Sequence, residues 1–289
     1  MRLSVVMIAK DEGEMIEGAL KSVRKTDEIV VVDTGSTDST QKIARKFTSL
    51  VFSEPWTDDF SASRNSAKAR ATGDWVLSLD ADHRIISSIA EIKTEIVRAE
   101  EARCNAIALQ DQAQRWRTVL WKNLPSIHWM GEAHENLFEN QSILNGMRGS
   151  LRRECLYSPA HKLDPDRYIR ILSKQVALNP DHARNLYYLA REYWYRKDYA
   201  NAGKLFLRCT QHSKFPAEKA DAWLYIAKIL WLEKRGSEAR DACMKALIVN
   251  ANFKEALMLM AEMSFPNNAV AWKKFAEQST NEGALFIRG

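Results

Sequence analysis

The sequence predicts an α/β domain with a mostly parallel sheet, followed by an all-helical domain. Two observations carry this. Over residues 1–110, apolar β-type runs alternate with segments of helical periodicity, the pattern of strands joined by crossover helices. From about Pro165 onward the periodicity is almost wholly helical. The expected domains are residues 1–162 and 163–289.

The elements follow in order. Leu3–Ala9 is a β-branched run. Glu14–Arg24 has helical spacing through Met15, Ile16, Ala19, Leu20 and Val23. Glu28–Val32 is a second strand, Ser39–Phe47 a helix, and Val51–Phe52 a short extended piece. Ser61–Ala71, rich in Ala and Lys, is helical. Trp75–Leu79 is another strand. These strands are apolar nearly throughout, as strands covered on both faces must be. Asn105–Gln110 and Thr118–Trp121 read as strands, and the rest of residues 105–160, with Pro125, Gly131, Gly146 and Gly149, reads as an irregular cap.

The helical part repeats. Leu186, Ala190, Tyr193, Tyr199, Ala202, Phe206 and Cys209 recur 37 residues later as Trp223, Ala227, Leu230, Gly236, Ala239, Cys243 and Ala246. Leu257 and Ala261 begin a third, partial unit after a further 34 residues. Small residues where helices cross, and a break at Asn179-Pro180, resemble tetratricopeptide repeats. Such a stack offers a face for a peptide or protein.

Composition excludes several classes. Of 289 residues, 46% are hydrophobic and 27% charged, which fits a globular chain and not a disordered one. No apolar run reaches the ~18 residues of a membrane span, and acidic residues follow the first strand where a secretory signal would continue. A soluble, cytoplasmic protein is expected. Four cysteines without a CxxC pair read as small buried hydrophobes. The net charge of +5 is uneven: residues 1–160 carry 21 basic and 23 acidic side chains, residues 161–289 carry 21 and 14.

Three segments carry chemistry. Val30-Val-Val-Asp33 ends a strand in a carboxylate, followed by Thr-Gly-Ser-Thr-Asp38. Asp33 suits a sugar hydroxyl or a base N–H at the carboxyl end of a strand, and equally suits a turn or helix cap. Trp75-Val-Leu-Ser-Leu-Asp80-Ala81-Asp82 ends in two carboxylates one residue apart. Their repulsion calls for a positive partner, and a hard divalent cation, Mn2+ or Mg2+, meets that need. Ser63-Arg64-Asn65 opens a helix. Arg64 can reach a phosphate or an acidic loop, whereas Lys68 and Arg70 read as solvated. Trp129 reads equally as a sugar-stacking face or as core.

With Ile8-Ala9-Lys10-Asp11-Glu12 after the first strand, these motifs make residues 1–160 similar to the family 2 glycosyltransferases with the GT-A fold. The resemblance implies a nucleotide-sugar donor, a UDP-sugar by preference. It implies Ala9, Asp11, Glu12, Asp33, Arg64, Asp80 and Ala81 around that donor, and Asp80, Asp82 and His161 as metal ligands. Arg117-Thr-Val-Leu-Trp-Lys-Asn123 and Trp129-Met-Gly131-Glu-Ala-His134-Glu135 have counterparts in the subgroup that carries helical repeats. Two departures stand out: His83 follows Asp82 where many members have an acidic residue, and no Glu-Asp pair marks the acceptor base. Glu135 is the expected base of an inverting transfer, with His134 orienting it or acting in its place. The expected acceptor is a peptide, protein or other polymer. The alternatives are a nucleic acid held by the basic second half and a catalytically inactive binding scaffold. No membrane partner is expected, and a homodimer is compatible with the sequence.

Overall fold

A computed structural model describes residues 1–280, apart from the side chain of His161. The chain divides into two compact units, Met1–Pro165 and a second from Asp166 onward.

The first unit is built on an eight-stranded mixed sheet. Its parallel half is β1 (Leu3–Ala9), β2 (Glu28–Asp33), β3 (Val51–Ser53) and β4 (Trp75–Ser78), with β1 between β2 and β4 and β3 outside β2. Successive side chains of β1 serve opposite layers. Leu3, Val5 and Met7 pack with helix α1 (Ile16–Val23) and helix α4 (Ile89–Glu101), while Val6 packs with helix α3 (Phe60–Ala69). The buried stripe of α1 is Ile16, Ala19, Leu20 and Val23, a single helical face. The short helix α2 (Thr40–Ala44) buries Ala44 in the first of these layers.

In the other half of the sheet the strands expected at Asn105–Gln110 and Thr118–Trp121 are present, and part of the irregular cap expected for the rest of residues 105–160 is regular strand as well. β6 (Ala106–Gln110) and β7 (Trp116–Lys122) form an antiparallel hairpin, β7 joins β4 antiparallel, and β11 (Gly146–Cys155) runs parallel to β6. β5 (His83–Ile85) closes the edge antiparallel to β11. β8 (Ile127–Met130), β9 (Asn136–Glu139) and β10 (Ser142–Ile143) form a separate antiparallel sheet. β11 escapes a reading by apolar runs because only Gly149's neighbours in the alternation, such as Leu151 and Arg153, are buried.

Two expectations for α3 also change. Lys68 is half-buried and donates to the carbonyls of Leu124, at 2.8 Å, and Ile127. Arg70 pairs with Glu54 at 2.6 Å and lies over the ring of Phe52. Both cations fasten the helix to neighbouring backbone or side chains.

In the second unit, α5 (Arg167–Leu178), α6 (Ala183–Tyr195), α7 (Tyr199–His212), α8 (Pro216–Leu232), α9 (Gly236–Val249), α10 (Lys254–Glu262) and α11 (Pro266–Gln278) pack successively. The small residues of the repeat are buried where predicted: Ala190, Ala227 and Ala261 at one position, Ala202 and Ala239 at another. The offset extends to the backbone. Lys197 and Lys234, 37 residues apart, each adopt a left-handed conformation, φ 63° and 60°, in the turn within a helix pair. Several repeat aromatics are core: Tyr187 and Phe206 are fully buried, and Phe206 stacks on Tyr225 at 4.6 Å, whereas Tyr195 is 58% exposed.

Two buried polar pairs lie in this unit. Tyr187 donates its hydroxyl hydrogen to Asp221, and Ser213 donates to Glu218 Oε2 at 2.9 Å. Burial pushes the Glu218 carboxyl above its ordinary value, against the Ser213 hydrogen bond. A raised folded-state value means that Glu218 costs no stability below the usual glutamate range and destabilises as pH rises through and above it. Glu218→Gln removes that cost while keeping an acceptor for Ser213. Thermal melts should therefore show the variant gaining on the parent between pH 4.5 and pH 8. An equal difference at both pH values would contradict this account.

Candidate active site

The carboxyl ends of β1, β2 and β4 form one rim. Ala9 pairs with Asp33 across β1 and β2, and β4 lies on the other side of β1. Asp33 and the residues after β4 are thus two strands apart, about 10 Å at the usual strand spacing.

Asp33 is fully buried. Its Oδ1 accepts from the backbone N–H of Gly35 (3.1 Å) and Ser36 (3.0 Å) and from Gln41 Nε2 (2.9 Å). Gly35 sits at φ 100°, a conformation that favours glycine. One oxygen therefore builds the turn. The other, Oδ2, is buried with no hydrogen-bond partner among the described residues, so both uses weighed for Asp33 have an oxygen available. A buried acceptor left unmatched costs about 1–3 kcal/mol.

The loop after β1 is sewn to the loop after β2. Asp11, at φ 54°, accepts from the Thr37 N–H at 2.7 Å, and the Asp11 N–H donates to Ser36 Oγ at 2.9 Å. The Glu12 N–H donates to Thr40 Oγ1, and Ser158 Oγ donates to Glu12 Oε2 at 2.6 Å. A cavity of about 280 Å3 lies here, lined by Asp11, Glu12, Met15, Thr37, Ser158 and Leu163 among others. Ala9 and Ala81, both almost fully buried, use their carbonyls for Thr34 and Arg84.

Arg64 organises the centre. It lies in α3, whose start is capped by Asp59 accepting from the Ala62 N–H at 2.8 Å. Its Nε donates to Glu135 Oε1 and its Nη2 to Asp80 Oδ1, each at 2.7 Å, while Nη1 donates to Ser78 Oγ at 3.2 Å. Arg64 and Glu135 are almost completely buried. A second guanidinium, that of Arg117 at the start of β7, lies 3.5 Å from Glu135. The alternative that Arg64 reaches an acidic loop is thus realised in this structure on two carboxylates at once.

Trp129 is 3% exposed, meets Trp121 edge-on at 5.7 Å, and supports the Arg64 guanidinium on its ring at 5.1 Å. Asn65 holds the Trp129 backbone from both sides, Nδ2 donating to its carbonyl and Oδ1 accepting from its N–H. Trp129 therefore belongs to the core and is no open platform for a sugar ring. His134 precedes Glu135 in a left-handed conformation, φ 52°.

Asp80, Asp82 and His83 offer ligand atoms within 4.8 Å of one another. His83 Nδ1 is 3.4 Å from Asp80 Oδ2, and its Nε2 is 3.7 Å from Asp82 Oδ1. Burial opposes ionisation of Asp80, but the charges of Arg64 and Arg117 outweigh it and hold the carboxyl well below the usual range. His83 is pushed below its ordinary value by burial and by Arg153 and Arg117, against the pull of Asp80 and Asp82. Two carboxylates one residue apart are a donor pair that fits a divalent ion. His83 was singled out in the sequence only as a departure from a pattern, and its proximity to both carboxylates depends on β5, a strand too short to read. The His161 side chain lies outside the described residues.

Residues 4–104 match the profile described as "Glycosyl transferase family 2". Residues 4–104 of the N-terminal unit are thus similar to the family 2 glycosyltransferases. Among curated relatives, an uncharacterised glycosyltransferase of Rickettsia conorii is 34% identical over 91 residues, covering 31% of this chain and 32% of that protein. A TPR repeat-containing protein of Synechococcus elongatus is 36% identical over 140 residues, 46% of this chain and 35% of that protein. The lipopolysaccharide core biosynthesis glycosyltransferase LpsC of Rhizobium meliloti is 24% identical over 155 residues, 52% of each chain. The chain thus spans about a third to a half of the length of these relatives. The first unit is a mixed α/β domain and the second, from Asp166 onward, is helical among the described residues. Among the described residues, no helix is long and apolar enough to cross a membrane.

Proposed function

We propose that this chain is a metal-dependent, inverting glycosyltransferase that moves a sugar from a nucleotide-sugar donor, a UDP-sugar by preference, to a peptide, protein or other polymer. The observation that carries the reading is the Arg64 bridge, which joins Asp80 at the end of β4 to Glu135 in the loop before β9. It couples the donor-side carboxylates to the expected acceptor-side carboxylate through one rigid, planar cation.

In this reading the roles divide along the rim. Asp33 Oδ2 accepts from the base or ribose of the donor, which satisfies a buried oxygen. Asp11 and Glu12, with Ala9 and Ala81, shape the wall of the nucleotide subsite. Asp80, Asp82 and His161 would hold Mn2+ or Mg2+, and the ion would supply positive charge opposite a diphosphate leaving group. Glu135, fixed by Arg64 and Arg117, takes the proton from the acceptor hydroxyl as the new bond forms, and His134 orients it. The helical repeats supply the acceptor-binding face. The name of LpsC places that relative in saccharide assembly, so saccharides belong in the acceptor panel beside peptides.

The test is thermal stabilisation by a panel of nucleotide sugars, with and without Mn2+. A donor at 100 times its Kd should add about 2.7 kcal/mol, visible as a raised Tm that requires the metal. Absence of any shift with every nucleotide sugar, with or without the ion, would overturn the reading. Retained stabilisation without sugar transfer or hydrolysis would instead favour a binding scaffold.

A further inference from the structure

We infer that Arg153 is a positioning residue that fixes the tautomer of His83: it makes Nδ1 an acceptor and places the ring proton on Nε2, facing Asp82. His83 then orients the carboxylate pair and does not ligate a metal through Nε2.

The argument begins with strand register. β11 pairs antiparallel with β5, Cys155 opposite His83 and Arg153 opposite Ile85. Arg153 is therefore the diagonal neighbour of His83 on the same face, within reach of a long side chain. Its Nη1 lies 3.2 Å from His83 Nδ1, and its Nη2 lies 3.8 Å from Asp111 Oδ2. Arg153 and Asp111 are 6% and 1% exposed.

Asp111 is itself immobilised. It sits at the head of the turn between β6 and β7, where Oδ1 accepts from the N–H groups of Ala113 (2.9 Å) and Arg115 (3.0 Å). Its Oδ2 accepts from Arg115 Nε at 2.8 Å. The guanidinium of Arg153 is thus held from one side by a fixed carboxylate and presented to the imidazole on the other.

The chemistry then leaves one assignment. A guanidinium has five N–H donors and no acceptor, and it does not deprotonate in proteins. A ring nitrogen that receives a hydrogen bond from it must carry the lone pair. In neutral imidazole the proton then resides on the other nitrogen, here Nε2, 3.7 Å from Asp82 Oδ1. A protonated Nε2 has no lone pair in the ring plane to give to a cation. The contact between Nδ1 and Asp80 Oδ2, at 3.4 Å, would demand the opposite tautomer, so Arg153 decides between two competing partners.

The consequence for metal binding rests on the donor-site reading of Asp80 and Asp82, but the tautomer can be measured on the protein alone. Nitrogen-15 spectra of histidine-labelled full-length protein, without donor or metal, separate the two tautomers, and the loss of one signal in His83→Gln assigns the residue. The parent protein should show Nε2 protonated. In Arg153→Met, Asp80 becomes the nearest partner of Nδ1 and the signal should move to the Nδ1–H form. Arg153→Lys, which keeps a donor, should restore the parent pattern. A parent spectrum with Nδ1 protonated would overturn the inference, as would a Met variant with unchanged tautomer populations. If the Met variant does not fold, the parent and Lys spectra still decide. Failure of every nucleotide sugar to bind would sink the enzymatic reading and leave the tautomer assignment standing.

Discussion

Replacing Arg64 by methionine is expected to destabilise the first domain by about 3–5 kcal/mol, the usual cost of removing one partner from a buried ion pair. Arg64 donates at 2.7 Å to both Asp80 and Glu135. Without it the two carboxylates share a buried region with like charge and less compensation. Methionine preserves volume and contact with Trp129, so the loss reports on charge. Arg64→Lys should recover only part of it, because a single ammonium cannot reproduce the planar fork that reaches Asp80, Glu135 and Ser78 together. Urea denaturation followed by tryptophan fluorescence provides the measurement. A Met variant as stable as the parent would show that the bridge contributes nothing to folding.

Glu135→Gln should leave nucleotide-sugar stabilisation of the protein unchanged and lower its turnover by roughly 10²–10⁴-fold, the range for losing a general base. The amide keeps an oxygen for Arg64 Nε, so the bridge to Asp80 survives in weaker form. Donor-induced Tm shifts and donor consumption, measured on the same preparation, separate binding from chemistry. Turnover near that of the parent would remove Glu135 as the base. Lost turnover accompanied by lost donor stabilisation would assign it to holding Arg64 and, through it, Asp80.

The sequence was most informative where strands are buried on both faces. β1, β2 and β4 read directly because Leu3–Ala9, Glu28–Asp33 and Trp75–Ser78 leave almost no room for polar residues. The equivalence of Ala190 and Ala227 in the repeat was legible for a related reason, since close helix crossings admit only small side chains. β11 was illegible because one of its faces is exposed and its sequence, GMRGSLRREC, offers few apolar residues at period two. α4 was passed over although Ser88 and Glu91 form a reciprocal capping box ahead of Ile89, Ile92 and Ile96. That signature is readable in advance. At the site, the carboxylates announce themselves by position at strand ends. The Arg64 bridge does not, because Glu135 lies 71 residues further along the chain and only the packing of α3 against the small sheet brings the two together.

The reversed direction of β7 has a consequence for how such a site is assembled. Leu77 lies opposite Leu120, so the segment leaving β4 and the segment entering β7 emerge side by side. Arg117 thereby arrives where its charge acts on Asp80, past the end of β4, and within 3.5 Å of Glu135. A uniformly parallel arrangement would need a whole crossover to deliver another side chain to that edge. Here a hairpin does so, and the same turn carries Asp111, which holds Arg153 beside His83.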